Sequence, residues 1–189
     1  MNEFKSAITG EYAPQGDPKN ADCIIGLSFG AAENDPGYVN QLLADHILRV
    51  SKYILEETNI NLPLLLQQEI ASAMPDKVKT DFVIEGELSS ITGKGLDSWA
   101  VLNQSLIYMK EHGLENPIIF AQAHHIGRIA LQAARLGIFP IIVEDLTKEF
   151  DPESKQIWTR SKWLWIPREL LAITYLKATD RIKKIKENK

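Results

Sequence analysis

Gln122, His124, His125 and Arg128 stand at a spacing that can do chemistry. A histidine where a strand turns into a helix can act as general acid or base, or give a hydrogen bond to a phosphate. A planar guanidinium one helical turn further on can hold a phosphate or carboxylate through two parallel bonds. Adjacent histidines cannot both enter one site from a regular strand. One of the pair therefore faces a ligand and the other a neighbouring loop. The plainer reading makes the histidine a backbone-bonded helix-entry residue and the arginine a solvated one, as Arg135 is read here. No metal site is assigned. No third ligand stands at a recognisable spacing, and the single cysteine, Cys23, lies inside an apolar run.

Ser28-Phe29-Gly30-Ala31 is a second stretch of interest. Backbone N–H groups of such a loop can cradle an anion after a strand. A tight turn explains the same residues without a ligand. The chain has no full glycine fingerprint and no P-loop. Glu85 follows the apolar triplet Phe82-Val83-Ile84. It offers a carboxylate to ribose hydroxyls or for base work, or else is a loop charge with no partner.

The elements that must position these groups follow from the periodicity. An apolar run at 118–121 precedes the histidines. After them Ile126, Ile129, Ala130, Ala133 and Leu136 recur at helical spacing, with Arg128, Gln132 and Arg135 on the opposite face. Gly137 suits the helix end, and 140–143 reads as a second buried strand. A strand–helix–strand unit of this length makes a right-handed parallel crossover. Further strands are expected at 23–27, 62–66 and 82–84. Helices are expected at about 38–57 and, capped by Asp97, to about His112, with a weak helical patch at 67–74. Pro167 is expected to open a last helix, with Leu171, Thr174, Ala178 and Ile182 facing inward.

The fold class is therefore α/β: a three-layer Rossmann-like sandwich with about five mostly parallel strands flanked by helices. The expected strand order is 3-2-1-4-5, which brings Ser28, Phe29 and Gly30 beside Gln122, His124 and His125. Open parallel sheets bind ligands beyond the carboxyl ends of their strands, and these residues fall there. Residues 1–20 are polar, contain Pro14 and Pro18, and read as an N-terminal arm. Residues 21–189 read as a single α/β domain that includes the C-terminal helix.

The chain of 189 residues is 44% hydrophobic and 24% charged, the balance of an ordinary globular domain. Its net charge of −4 argues against general nucleic-acid binding. A lone cysteine rules out an intrachain disulfide framework and suits a reducing compartment. No run has the length of a membrane span or a signal-peptide core, so a cytoplasmic protein is expected.

Ala123-His124-His125-Ile126-Gly127-Arg128 resembles the Ser/Ala-x-His-x-x-Arg signature of the YdcF- and SanA-like proteins, a bacterial family of unknown function. The best match places the signature histidine on His125 and its arginine on Arg128. The stretch from Asp22 to Gly30 is similar to the family's first strand and glycine-rich loop, although only Gly26 and Gly30 remain of the glycines. Arg168-Glu169 and its helix look like the family's ending. The resemblance covers most of 22–175. The family's Ser/Thr-Glu-Asn segment has two partial matches, Ser90-Ile91-Thr92 and Asp97-Ser98-Trp99, and neither brings the Glu-Asn pair. The resemblance implies a Rossmann-like sandwich that binds a nucleotide-like or phosphorylated small molecule, S-adenosylmethionine or another nucleotide among the cofactor candidates. Ser28, Phe29, Gly30, Glu85, Thr92, Gln122 and His124 would bind it.

The readings that remain side by side are an enzyme, a ligand-binding module and an interaction protein. In the enzyme His125 is acid or base and Arg128 clamps the anion. The ligand-binding or regulatory module uses the same pocket without turnover. The interaction protein, a homo-oligomer among them, uses the 158–165 region, where Trp158, Trp163 and Trp165 cluster.

Overall fold

Four short apolar runs pair side by side; three are buried along their whole length, the pattern of a parallel sheet covered by helices, while the edge run at 82–84 leaves Val83 exposed. In the computed structural model, which describes residues 3–31, 36–85 and 97–187 (181–187 as backbone only), these are β1 (Cys23–Gly26), β2 (Leu64–Gln67), β3 (Phe82–Ile84) and β4 (Pro117–Phe120). All pairings are parallel, in the order β3-β2-β1-β4. Ile24 stands between Leu64 and Ile118, so β1 is central. The Asp22 carboxylate accepts from the backbone N–H groups of Glu115 and Asn116, which fixes the entry of β1 against that of β4.

The expected fifth strand is not a strand. Ile141 makes a single parallel bridge to Ile118, on the side of β4 where the fifth strand was expected. Ile142 turns to the other edge and bridges Gln15 in antiparallel fashion. The N-terminal arm thus takes the place of further sheet: 15 pairs with 142, and the chain before it folds into α1 (Glu3–Thr9).

The helices α2 (Tyr38–Thr58), α3 (Gln68–Ala73), α4 (Ser98–His112), α5 (Ile126–Arg135) and α6 (Lys162–Glu187) complete the layers. Asp97 caps α4 by accepting from Ala100 N, and Gly113 ends it in the left-handed conformation. α6 starts at Lys162, so Pro167 lies inside it rather than at its first position. Its inward face is also not the expected one. Trp165, Glu169, Ile173 and Leu176 are buried, whereas Leu171 is 72% exposed. A carboxylate, Glu169, sits in the buried stripe, and its polarity hid that stripe from the periodicity.

α1 crosses the start of α5 at Gly127. A Cβ at this glycine would meet Ser6 Cβ at 3.0 Å and Glu3 Cα at 3.2 Å, so the close approach favours glycine. Ser6, fully buried, gives its hydroxyl proton to the carbonyl of Ala123. No helix among the described residues is long and apolar enough to cross a membrane.

Candidate functional site

The turn from β4 into α5 is built by Gln122. Its fully buried side chain accepts from His124 N at 2.7 Å and donates to the carbonyl of Glu149 at 3.2 Å. Its backbone carbonyl accepts from His125 N and Ile126 N. This geometry splits the histidines. The His124 ring turns toward the N-terminal segment and gives Nδ1–H to the carbonyl of Ala7 at 3.0 Å. The His125 ring turns toward α6.

There His125 Nδ1 lies 3.1 Å from Oε1 of Glu169, and Arg128 Nε donates to the same oxygen at 2.9 Å. Arg128 Nη1 donates to Ser98 Oγ at 2.9 Å, and that hydroxyl passes its own proton to Gln132 Oε1 at 2.9 Å. Arg128 Nη2 rests 3.1 Å and 3.4 Å from the two ring nitrogens of His125. The Trp165 ring stands perpendicular to the His125 ring at 5.1 Å between centroids, and Phe29 packs on Trp165 at 4.6 Å. Arg168 lies over both Trp158 and Trp165.

The electrostatics follow from burial. Desolvation, with the neighbouring Arg128 charge second, pushes the His125 imidazole down to about 4 against the opposing pull of Glu169. His125 is therefore neutral at neutral pH. Burial alone would raise the Glu169 carboxyl, yet the hydrogen bonds and charge of its partners hold it below its ordinary value. Since His125 is neutral, Arg128 is the partner that keeps Glu169 ionised. Two buried polar atoms on successive turns of α6, Trp165 Nε1 and Glu169 Oε2, meet no hydrogen-bond partner among the described residues.

The loop after β1 reaches the same edge, but three of its N–H donors are engaged. Ser28 N donates to Gln67 Oε1, Phe29 N to Asn40 Oδ1 at 2.8 Å, and Ala31 N to Ser154 Oγ. Gly30 has φ +80°, and a Cβ there would fall 2.6 Å from Ser154 Oγ, so this position requires glycine twice over. Phe29 thus meets the His125–Trp165 cluster with its ring, while the loop's N–H groups hold the fold together.

Comparison with family models, with curated proteins and with solved structures finds no match for this chain.

The site therefore rests on its own geometry. His125, Arg128 and Phe29 come together. Gln122 and His124 shape the turn from behind. Ser28 and Gly30 border it through a braced loop. Glu85 is exposed at the end of β3, with β2 and β1 between it and β4. Thr92 lies outside the described residues. Arg135 is not simply solvated: it bonds Asp180, Thr179 and the carbonyl of Leu176, clamping α6 two turns beyond Arg128. Sequence reasoning missed Glu169 as the partner of His125 and Arg128, and Asn40, Gln67 and Ser154 as the loop's acceptors. A glutamate between Trp165 and Ile173 at helical spacing was the available signal. Among the described residues, no group of three or more His, Cys, Asp or Glu side chains could hold a metal ion.

Proposed function

We propose that this chain binds a nucleotide-like or phosphorylated small molecule at the carboxyl ends of β1 and β4. The observation that carries the reading is the charge balance there. One buried carboxylate, Glu169, is paired by Arg128, and a second guanidinium, Arg168, precedes it on α6. Arg168 is exposed, stacked on indole rings, and in no ion pair among the described residues. It is the guanidinium that can meet a phosphate. Glu169 Oε2 and Trp165 Nε1 are the buried polar atoms on the same helix that no described residue satisfies. S-adenosylmethionine and other nucleotides fit this donor set. Membership of the YdcF- and SanA-like family and a cytoplasmic place in a bacterium belong to the same proposal.

Binding without turnover is the form we favour. Acid–base catalysis works best with a pKa near the working pH, and an imidazole held near 4 is far below it. The test is a thermal-shift screen with nucleotides, S-adenosylmethionine and sugar phosphates. A ligand at 100 times its dissociation constant stabilises by about 2.7 kcal/mol. Calorimetry with the best of them on Arg168→Gln should then show affinity reduced by about 10- to 150-fold, the worth of a charge-assisted bond. No stabilisation by any of the three classes defeats the reading. Conversion of the bound molecule would move it to the enzyme reading, with His125 and Arg128 as the catalytic pair.

A second reading has its own observation. Trp163, Leu171 and Tyr175 are 75%, 72% and 70% exposed on α6. Such an apolar surface suits an interaction module or homo-oligomer. Sedimentation that gives a monomer at all concentrations counts against it.

A further inference from the structure

α6 is apolar on two sides. Inward, Trp165, Ile173 and Leu176 are buried against the domain. On the opposite side of the helix, Leu164, Pro167, Leu171, Tyr175 and Ala178 follow one another at helical spacing, and all are exposed. Trp163 extends this line at its flank. Between Trp163 and Ala178 the outward side carries one charge, Arg168, whose guanidinium lies back over Trp158 and Trp165. A helix apolar on both sides is ordinarily covered on both.

The order of side chains along the outward line is self-complementary about Leu171. An antiparallel second copy, related by a two-fold axis at Leu171, sets that leucine against itself. It then sets Leu164 opposite Ala178 and Pro167 opposite Tyr175, large against small in both cases, and Arg168 opposite Thr174. The ridges can interdigitate, and no two arginines meet at one height. A parallel copy would instead set Arg168 against Arg168 and Trp163 against Trp163. A lipid surface has no need of this order, so the order favours a second copy. We propose that α6 pairs with the α6 of a second copy of this chain, antiparallel and centred on Leu171. The inference rests on the homo-oligomer reading above and is independent of the ligand. Covering Trp163, Leu164, Leu171 and Tyr175 in both copies removes roughly 1,000 Å² from water, the lower bound for a specific interface. The dimer is therefore reversible, with a dissociation constant in the micromolar range.

The test takes the full chain through sedimentation equilibrium from about 1 to 500 μM. The wild type should pass reversibly from monomer to dimer. Leu171→Asp sets two carboxylates against each other at the two-fold axis. It should weaken the dimer about 30-fold or more while melting as the wild type does, since Leu171 is exposed. Oxidative cross-linking reads the register. Leu171→Cys should join two copies, and Trp163→Cys should not, because its two positions lie about 24 Å apart along the helix axis. The native Cys23 is buried and does not compete. A monomer at all concentrations overturns the proposal and the homo-oligomer reading together, and a monomer that pellets with phosphatidylglycerol vesicles gives the face to a lipid surface instead. Three results overturn this proposal alone: a dimer that Leu171→Asp leaves intact, one that Leu171→Cys fails to cross-link, and one that Trp163→Cys cross-links as readily.

Discussion

Arg128 reaches across from α5 to Glu169 on α6 and gives Nε–H, at 2.9 Å, to the oxygen that also faces His125. Glu169 is fully buried. Its charge is tolerable only because Arg128 neutralises it at hydrogen-bond distance. Hydrophobic residues of equal volume often stabilise as well as such a pair, so fold stability alone is a weak reason to keep it. Its place at the carboxyl edge of β1 and β4 is what ties it to a ligand in the proposed function.

Removing one partner is another matter, because the other charge stays buried. Glu169→Ala should lose about 3–5 kcal/mol of stability in urea unfolding. Glu169→Gln keeps an acceptor and should lose less. The double variant Glu169→Leu, Arg128→Met removes both charges and should recover most of the loss. If Glu169→Ala stays within about 1 kcal/mol of the wild type, the pair is not as closed as described.

The sheet was legible because parallel strands covered on both faces are written as unbroken apolar runs. Ile24-Ile25, Leu64-Leu65-Leu66 and Ile118-Ile119 leave no other reading. The helix caps Asp97 and Gly113 were legible because their chemistry is local. Long-range polar bonding was not. Nothing near residue 128 in sequence announces residue 169, and nothing near residue 29 announces the amide of Asn40. The run 140–143 looks like a strand by composition, yet β4 and the 15–16 region compete for its backbone. Ile141 bonds one way and Ile142 the other.

The pH dependence has a sign that follows from His125. Its folded value is depressed to about 4 from 6.5, so between those values the unfolded chain binds the extra proton. Stability from this group is complete above about pH 6.5 and is lost as the pH falls toward 4. The full loss is roughly 3 kcal/mol. His46 and His124, also depressed chiefly by burial, act in the same direction. Glu169, depressed as well, acts only lower, as the pH falls below its ordinary 4.5. Urea midpoints should therefore hold from pH 7.5 to about 6.5 and fall from there to 4.5. An NMR titration that puts His125 near 6.5 would remove the basis for the His125 share.

Arg135 anchors the outer part of α6 through Asp180, Thr179 and the Leu176 carbonyl. It is partly exposed, so its ion pair contributes little and the carbonyl bond contributes more. Arg135→Ala should cost about 1–2 kcal/mol globally. Amide exchange should rise selectively beyond Leu176, with the His125 region unaffected. Faster exchange at His125 and Arg128 instead would mean that the two clamps do not act separately.

Asn40 gives the sharpest test of how the site is positioned. It is fully buried on α2, accepts from Phe29 N at 2.8 Å, and donates to the carbonyls of Gly30 and Pro36. One side chain therefore fixes the loop whose Phe29 ring packs 4.6 Å from that of Trp165. Asn40→Asp keeps the acceptor for Phe29 N but turns both donors into a carboxylate oxygen facing two carbonyls. Asn40→Ala orphans the Phe29 N–H as well. An unsatisfied buried group costs about 1–3 kcal/mol, so both variants should be destabilised by at least that range. The readout specific to positioning is the indole Nε1–H resonance of Trp165. It should shift or broaden in both variants, while the exposed Trp163 stays put. A destabilised Asn40→Ala whose Trp165 resonance matches the wild type would show that Asn40 serves the fold alone, and that Phe29 holds its place on Trp165 without it.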